Sequence, residues 1–255
     1  MKKYVVLFAI LCVPALQADY CKYEKAIDQE LDLSGSESLS VLAAAGDLEI
    51  RGISGDTARI GGTVCVSDEE WLEKSGVEVS GGKNAEIAVR LPDSDDGWSW
   101  TGRNYAYLDL ELEVPESILL KVKDSSGDID IRNVAGVSVH DSSGDIEIYQ
   151  VSGNVTAVDS SGDIELEDIG GDVTIESDSS GDIEGEGIDG TVLVEKDSSG
   201  GIRFEDVGKD FIVERDSSGD ITAKGVGGDF RVLRDGSGDI RSSDVAGEVD
   251  VPDKS

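Results

Sequence analysis

The sequence predicts an all-β fold, a single elongated β-solenoid (parallel β-helix-like) of about 17–19-residue coils with an irregular N-terminal capping region. Three observations predict it. The phrase Asp-Ser-Ser-Gly-Asp-Ile starts at Asp124, Asp141, Asp159, Asp178, Asp197, Asp216 and Asp235, so its spacing is 17, 18 and then 19 residues. Two copies vary at one place, with Gly201 for the second Asp and Gly236 for the first Ser. Each phrase is followed by two short alternating stretches, as in Ile164-Glu-Leu166 and Val173-Thr-Ile175. Alternation marks half-buried strands, and an Asp/Ser/Gly cluster between them marks a turn. Third, the apolar positions align from copy to copy. Ile129, Ile146, Ile164, Ile183, Ile202, Ile221 and Ile240 form one column, and Val134, Val151, Ile169, Ile188, Val207, Val226 and Val245 a corner column. Val137, Val155, Val173, Val192, Phe211, Phe230 and Val249 form a third. A unit of this size cannot bury its own apolar face, so it must stack on its neighbours.

From the start of the chain, residues 1–18 read as a secretory signal peptide: Met1-Lys2-Lys3, an apolar run from Tyr4 to about Pro14, and small residues at Ala15 and Ala18. The run is too short to span a bilayer as a helix. Export places Cys21 and Cys65 in an oxidising compartment as an even pair, and predicts a disulfide between them. Residues 19–115 form an N-terminal β region. It holds one separated copy of the repeat, because Gly46–Ile60 aligns without gaps with Gly144–Val158. Strands are expected at Thr63–Ser67, Val77–Val79, Glu86–Leu91 and Tyr105–Val114, with Ser80–Asn84 as a hairpin turn. Residues 116–255 carry the regular solenoid repeats.

The formal charge is −33, from 55 acidic and 22 basic residues. Such a surface repels phosphate backbones and anionic lipid, which excludes nucleic acid and membrane insertion after signal cleavage as expected partners.

A strand ending Leu112-Glu-Val-Pro-Glu116, then Ile118–Val122, then serial Ser-Gly-Asp-Ile phrases resembles the putative-adhesin β-strand-repeat family of bacterial envelope proteins, a domain of unknown function. The early Ala45–Ile50 stretch resembles it too. The resemblance covers roughly Ser40 to Val251 and implies the architecture, with no activity attached.

Three sets of residues are candidates for function. Asp128, Asp145, Asp163, Asp182, Asp220 and Asp239 repeat once per coil, about 4.8 Å apart. They serve either turn chemistry, by accepting backbone N–H groups, or Ca²⁺ held between coils, the one candidate cofactor. Gly201 interrupts the column and the phrase lacks the two-glycine spacing of Ca²⁺-loaded β-rolls, which favours turn chemistry. Trp98 and Trp100, with Tyr105 and Tyr107 beyond them, offer either a ligand-binding aromatic platform or a cap on the solenoid. The single histidine, His140, has no nucleophile or metal-ligand pattern around it, so no catalytic residue is assigned.

These features predict an exported, non-catalytic, adhesin-like or structural scaffold in the periplasm, at the cell surface or outside the cell. Its expected partner is an envelope or extracellular protein or glycan, held by the repeat faces or the aromatic loop. A Ca²⁺-binding β-roll-like protein is the alternative, and a polysaccharide-active β-helix enzyme a remote one.

Overall fold

The computed structural model describes residues 21–92 and 104–252. Within them the chain forms β1 (Tyr23–Asp32), β2 (Ser38–Leu42), β3 (Leu48–Ile53), β4 (Thr57–Val66), β5 (Gly76–Ser80), β6 (Asn84–Arg90) and β7 (Ala106–Pro115). The coils follow as β8 (Leu119–Lys123), β9 (Ile129–Arg132), β10 (Gly136–His140), β11 (Ile146–Val151), β12 (Val155–Val158), β13 (Ile164–Ile169) and β14 (Val173–Ser177). They continue as β15 (Ile183–Ile188), β16 (Val192–Val194), β17 (Ile202–Val207), β18 (Phe211–Val213), β19 (Ile221–Val226), β20 (Phe230–Val232), β21 (Ile240–Val245) and β22 (Val249–Asp250). The one helical element described is a short 3₁₀ turn at Glu69–Trp71.

Two 11-stranded sheets face each other. Odd-numbered strands from β9 onward stack in parallel in the first sheet, and even-numbered strands from β8 in the second. The register is the one that the repeat predicts: Ile146 opposes Ile129 and Ile164, and Val155 opposes Val137 and Val173. Each inward column is buried down to the penultimate coil. The last coil has no successor, so Ile240 and Val245 are half-buried and Val249 is exposed. Side-chain volume is matched between coils as well. Phe204 packs its ring over Gly185, where a Cβ would come within 2.3 Å, and it lies 5.0 Å from the Phe211 ring.

The phrase turns the chain from the second sheet into the first. Its glycine has a positive φ in every copy, 122° at Gly127 and 139° at Gly162 for example. It also lies so close to the glycine of the previous coil that a Cβ at Gly162 would meet the Gly144 carbonyl oxygen at 1.9 Å. Conformation and space therefore both demand glycine there.

The separated repeat copy is not set apart in space. β3 lies between β7 and β9, and β2 between β6 and β8, so the copy stacks directly on the first regular coil. Residues 57–92 and 104–115 form the strands β4 to β7 beyond that coil, at the N-terminal end of the stack. At this end parallel stacking gives way to antiparallel pairing: β1 on β4, β4 on β7, and β5 on β6 through the Ser80–Asn84 hairpin. The segment after Asp19 is thus a ten-residue edge strand, longer and more regular than its mixed polar sequence suggests. Trp71 is buried among the core side chains. Cys21 is joined to Cys65, with 5.6 Å between their Cα atoms.

Ile164 is fully enclosed between Ile146 and Ile183, so Ile164→Ala should cost about 2–5 kcal/mol by denaturant unfolding. Ile240→Ala should cost clearly less, since the terminal coil leaves that side chain half-exposed. Equal losses at the two sites would contradict the stacked-core account.

Candidate functional site

The second Asp of each phrase stands on the surface at the turn and binds backbone in the next coil. The Asp145 amide donates to Asp128 Oδ1 at 3.0 Å, Asp163 to Asp145 at 2.9 Å, and Asp182 to Asp163 at 2.8 Å. Gly201 donates to Asp182 at 2.7 Å and Asp239 to Asp220 at 2.8 Å. The ladder also runs upward, from the Asp128 amide to Asp47 at 3.2 Å and from the Asp47 amide to Asp109 at 3.2 Å. Burial raises the Asp109 pKa, while the Asp47 amide works against that shift. Each Oδ1 named here is committed to an amide hydrogen, and so does the work of a turn residue. The third-position serines add a parallel ladder: Ser199 Oγ donates to the Ser179 carbonyl at 3.0 Å and Ser218 Oγ to Ser198 at 3.2 Å. Among the described residues no group of three or more His, Cys, Asp or Glu side chains is arranged around a common metal position.

A second carboxylate–amide ladder runs along the opposite corner. The Asp172 amide donates to Asn154 Oδ1 at 3.0 Å, Thr191 to Asp172 at 2.9 Å, Asp229 to Asp210 at 2.8 Å, and Glu248 to Asp229 at 2.8 Å. Sequence reasoning missed it. The signal was an Asn, Asp, Thr or Glu one residue before every Val or Phe of the third apolar column from Val155 onward. The Thr191 amide, helped by Lys209, lowers the pKa of Asp172.

The first Asp of the phrase behaves in the opposite way. Asp124, Asp141, Asp159, Asp178, Asp197 and Asp216 are all turned inward, at most 3% exposed. The first four have no hydrogen-bond partner on either carboxylate oxygen. Asp197 and Asp216 each accept one following serine amide, from Ser198 at 2.6 Å and Ser218 at 3.0 Å, and keep one orphaned oxygen. Burial is the largest cause of a raised pKa at all six: to about 7 at Asp124 and Asp216, to about 6 at Asp159, Asp178 and Asp197, and upward at Asp141.

The outward faces of the two sheets differ. On the first, Glu111, Glu49, Asp130, Glu147, Glu165 and Glu184 are directly opposed from strand to strand, before Arg203 breaks the run. Glu167, Glu186 and Glu205 form a shorter row beside it, where Glu205 pairs with Arg203 and Lys224. On the second sheet the central outward column runs Ser40, Lys121, Ser138, Thr156, Thr174, Leu193, Ile212 and Arg231, with carboxylates at its two ends, Glu86 on β6 and Asp250 on β22. The grooves along both faces are open and shallow.

Of the aromatic candidates, Trp98 and Trp100 lie outside the described residues. Tyr105 and Tyr107 are half-buried at the capped end, their ring centroids 6.1 Å apart, and the Tyr105 hydroxyl accepts the Lys22 amide at 3.1 Å. Tyr107 sits opposite Cys65, beside the disulfide. The two tyrosines are thereby tied into the cap. His140 is exposed at the end of β10.

The profile of the Toastrack DUF4097 family matches residues 57–231. No curated protein matches the chain. Among solved structures, a putative cell adhesion protein from Clostridium sporogenes is 14% identical, with 90% of this chain and 99% of that chain covered and a TM-score of 0.32. A putative lipid binding protein from Parabacteroides distasonis is 15% identical over 88% and 96% of the two chains, with a TM-score of 0.37. A putative adhesin from Bacteroides fragilis is 13% identical over 89% and 97%, with a TM-score of 0.38.

Because the exposed ladder uses carboxylate oxygens as amide acceptors, Asp163→Asn and Asp182→Asn should leave stability within about 0.5 kcal/mol of the parent or raise it, since Asn keeps the acceptor and removes repulsion. Asp163→Ala should cost about 1 kcal/mol through the lost bond. Denaturation midpoints measured with and without millimolar Ca²⁺ against matched NaCl decide the role. A Ca²⁺-specific gain lost in the Asn variants would assign these residues to a metal.

Proposed function

We propose, from the premise that the chain belongs to the Toastrack DUF4097 family, that it is an exported, non-catalytic scaffold whose acidic sheet face binds a basic partner protein of the cell envelope. One observation carries this reading: six carboxylates, from Glu111 to Glu184, stand directly opposed on consecutive strands of a rigid sheet. Like charges at this separation destabilise a sheet, by about 0.2–1 kcal/mol per directly opposed pair. Neighbouring coils could relieve that cost with alternating signs, as Arg203, Lys224 and Arg241 do lower in the stack. Within the acidic stretch Arg132 pairs with Asp130 and the Tyr149 hydroxyl donates to Glu147, which relieves part of the cost, and a partner presenting lysine or arginine along the remaining carboxylates would offset more of it.

The run from Ser40 to Arg231 in the central column of the other sheet holds no carboxylate, which supports a directional surface rather than a uniformly charged rod. The non-catalytic part of the reading rests on side-chain chemistry. Among the described residues the one histidine is solvent-exposed, and the grooves are open and lined by the outward ladders. The signal-like residues 1–18 and the Cys21–Cys65 disulfide support export, because disulfides persist in oxidising compartments.

Oligolysine is a suitable probe, followed by fluorescence anisotropy. Binding should weaken steeply as salt rises from about 0.01 M to about 0.15 M, which cuts the Debye length from about 30 Å to about 8 Å. Combined Glu147→Gln, Glu165→Gln and Glu184→Gln should reduce affinity several-fold at low salt, while Thr156→Gln and Thr174→Gln on the other face should not. Equal effects from the two faces, or selective binding to neutral glycans instead of basic peptides, would refute the acidic-face assignment.

A further inference from the structure

We propose that the six inward Asp residues, Asp124, Asp141, Asp159, Asp178, Asp197 and Asp216, form a proton-loaded spine: a chain of carboxylic acids, each donating its O–H to the carboxyl of an adjacent coil, whose deprotonation loosens the stack. The geometry requires neutralisation of some kind. These side chains are enclosed, and ten of their twelve carboxylate oxygens make no well-formed hydrogen bond; the amides of the serines that follow each Asp pull its pKa down, and burial outweighs them. An unpaired buried carboxylate is costly enough that such a group takes up a proton or acquires a counter-charge.

Among the described residues no lysine or arginine is buried beside the column. The charged neighbours that act on it are mostly other acids: Asp47 and Asp141 on Asp124, Asp128 on Asp141, Asp145 on Asp159, and Asp235 on Asp216. His140 is the one cationic influence, and it acts on Asp141. Lys123, Lys196, Arg215 and Arg234, each one residue before a phrase, point to solvent. A divalent cation would need six or more oxygens around it, whereas two adjacent carboxyls offer four at most.

Protons fit the arrangement. Strand stacking repeats every ~4.8 Å, and the carboxyl pairs Asp178–Asp197 and Asp197–Asp216 lie within hydrogen-bonding reach. Two ionised carboxylates cannot bond each other, since both only accept; a protonated one donates. Protonation therefore supplies donors to oxygens that otherwise have none, most directly at Asp178, Asp197 and Asp216. Ala43 occupies the equivalent place above Asp124, and below Asp216 the half-buried Asp235 keeps one enclosed, unpartnered oxygen. Raised values of about 6 to 7 correspond to a proton affinity at least about a hundredfold above that of an exposed Asp.

The sign of the pH dependence follows. The folded column binds protons that the unfolded chain, with pKa values near about 3.9, has released. Its contribution is fully present below about pH 4 and is lost as pH rises through about 6 to 7. Thermal unfolding of the full chain should therefore show a melting temperature that falls between about pH 5 and about pH 8. Asp159→Asn and Asp178→Asn should flatten that fall, and Asp163→Asn on the exposed ladder should not.

The direct measurement is carboxyl-carbon NMR of the unmodified protein labelled at Asp, which remains decisive if the variants fail to fold. A set of Asp resonances should titrate near neutral pH. Replacing Asp178 by Asn should delete one and move its neighbours' midpoints to lower pH. The spine is refuted if no Asp titrates above about pH 5, or if the near-neutral set vanishes in Asp163→Asn. It is equally refuted if Ca²⁺ at alkaline pH raises the melting temperature beyond matched NaCl and Asp159→Asn abolishes the gain, because a cation then neutralises the column.

Discussion

The parallel hydrogen-bond register between coils governs everything else in this molecule. Once β11 pairs with β9 and β13 residue for residue, each position of the repeat lies over its counterpart about 4.8 Å away. Any residue type that recurs in sequence becomes a continuous column in space. For Ile and Val this is favourable, since each side chain buries its apolar surface against its own kind. For glycine it permits an approach so close that no other residue fits. For aspartate it forces like charges together, at about 0.9 kcal/mol per neighbouring pair in water and several-fold more where solvent is excluded.

The fold answers that repulsion in two ways, by the direction in which each Asp points. At the exposed positions water screens the charge, and every carboxylate discussed above takes an amide hydrogen from the next coil. The repeated charge thereby becomes an inter-coil fastening. At the inward positions no such donor exists for most oxygens, and burial favours the neutral acid. The same residue in the same six-residue phrase thus serves as a charged acceptor at one place and an acid at another, four residues apart.

The two ends of the stack are handled unequally. At the N-terminal end β1, β4 and β7 switch to antiparallel pairing, and the disulfide, Trp71 and the tyrosine pair close it. At the other end β21 and β22 present half-covered columns, with Ile240 and Val245 lining the last layer. Between them lie two surfaces of different character, one with a long acidic run and one whose central column is free of carboxylates from Ser40 to Arg231. That asymmetry links the repeat to a binding role: a rigid register holds chemically distinct ladders at fixed spacing.

The repeat units, the three apolar columns, their mutual register and the Ser80–Asn84 hairpin were all legible in the sequence. Each rests on local alternation, or on turn residues within one coil, and stacking simply copies them. Three features were decided only in three dimensions. The phrase contains two recurrent Asp positions with the same statistical signature, and nothing local says which one faces inward. The backbone path through the positive-φ glycine and the end of the preceding strand sets that, and it separates an exposed acceptor at Asp163 from an enclosed acid at Asp159. The Gly46–Ile60 copy is distant in sequence yet adjacent in space to the first regular coil, because the strands β4 to β7 lie beyond that coil, at the N-terminal end of the stack. The edge strand Tyr23–Asp32 has a weak apolar pattern, Tyr23, Ile27 and Leu31 among polar residues, and takes its conformation from pairing with β4. In each case the deciding interaction joins segments far apart in the chain, and such contacts leave no period in the sequence to read.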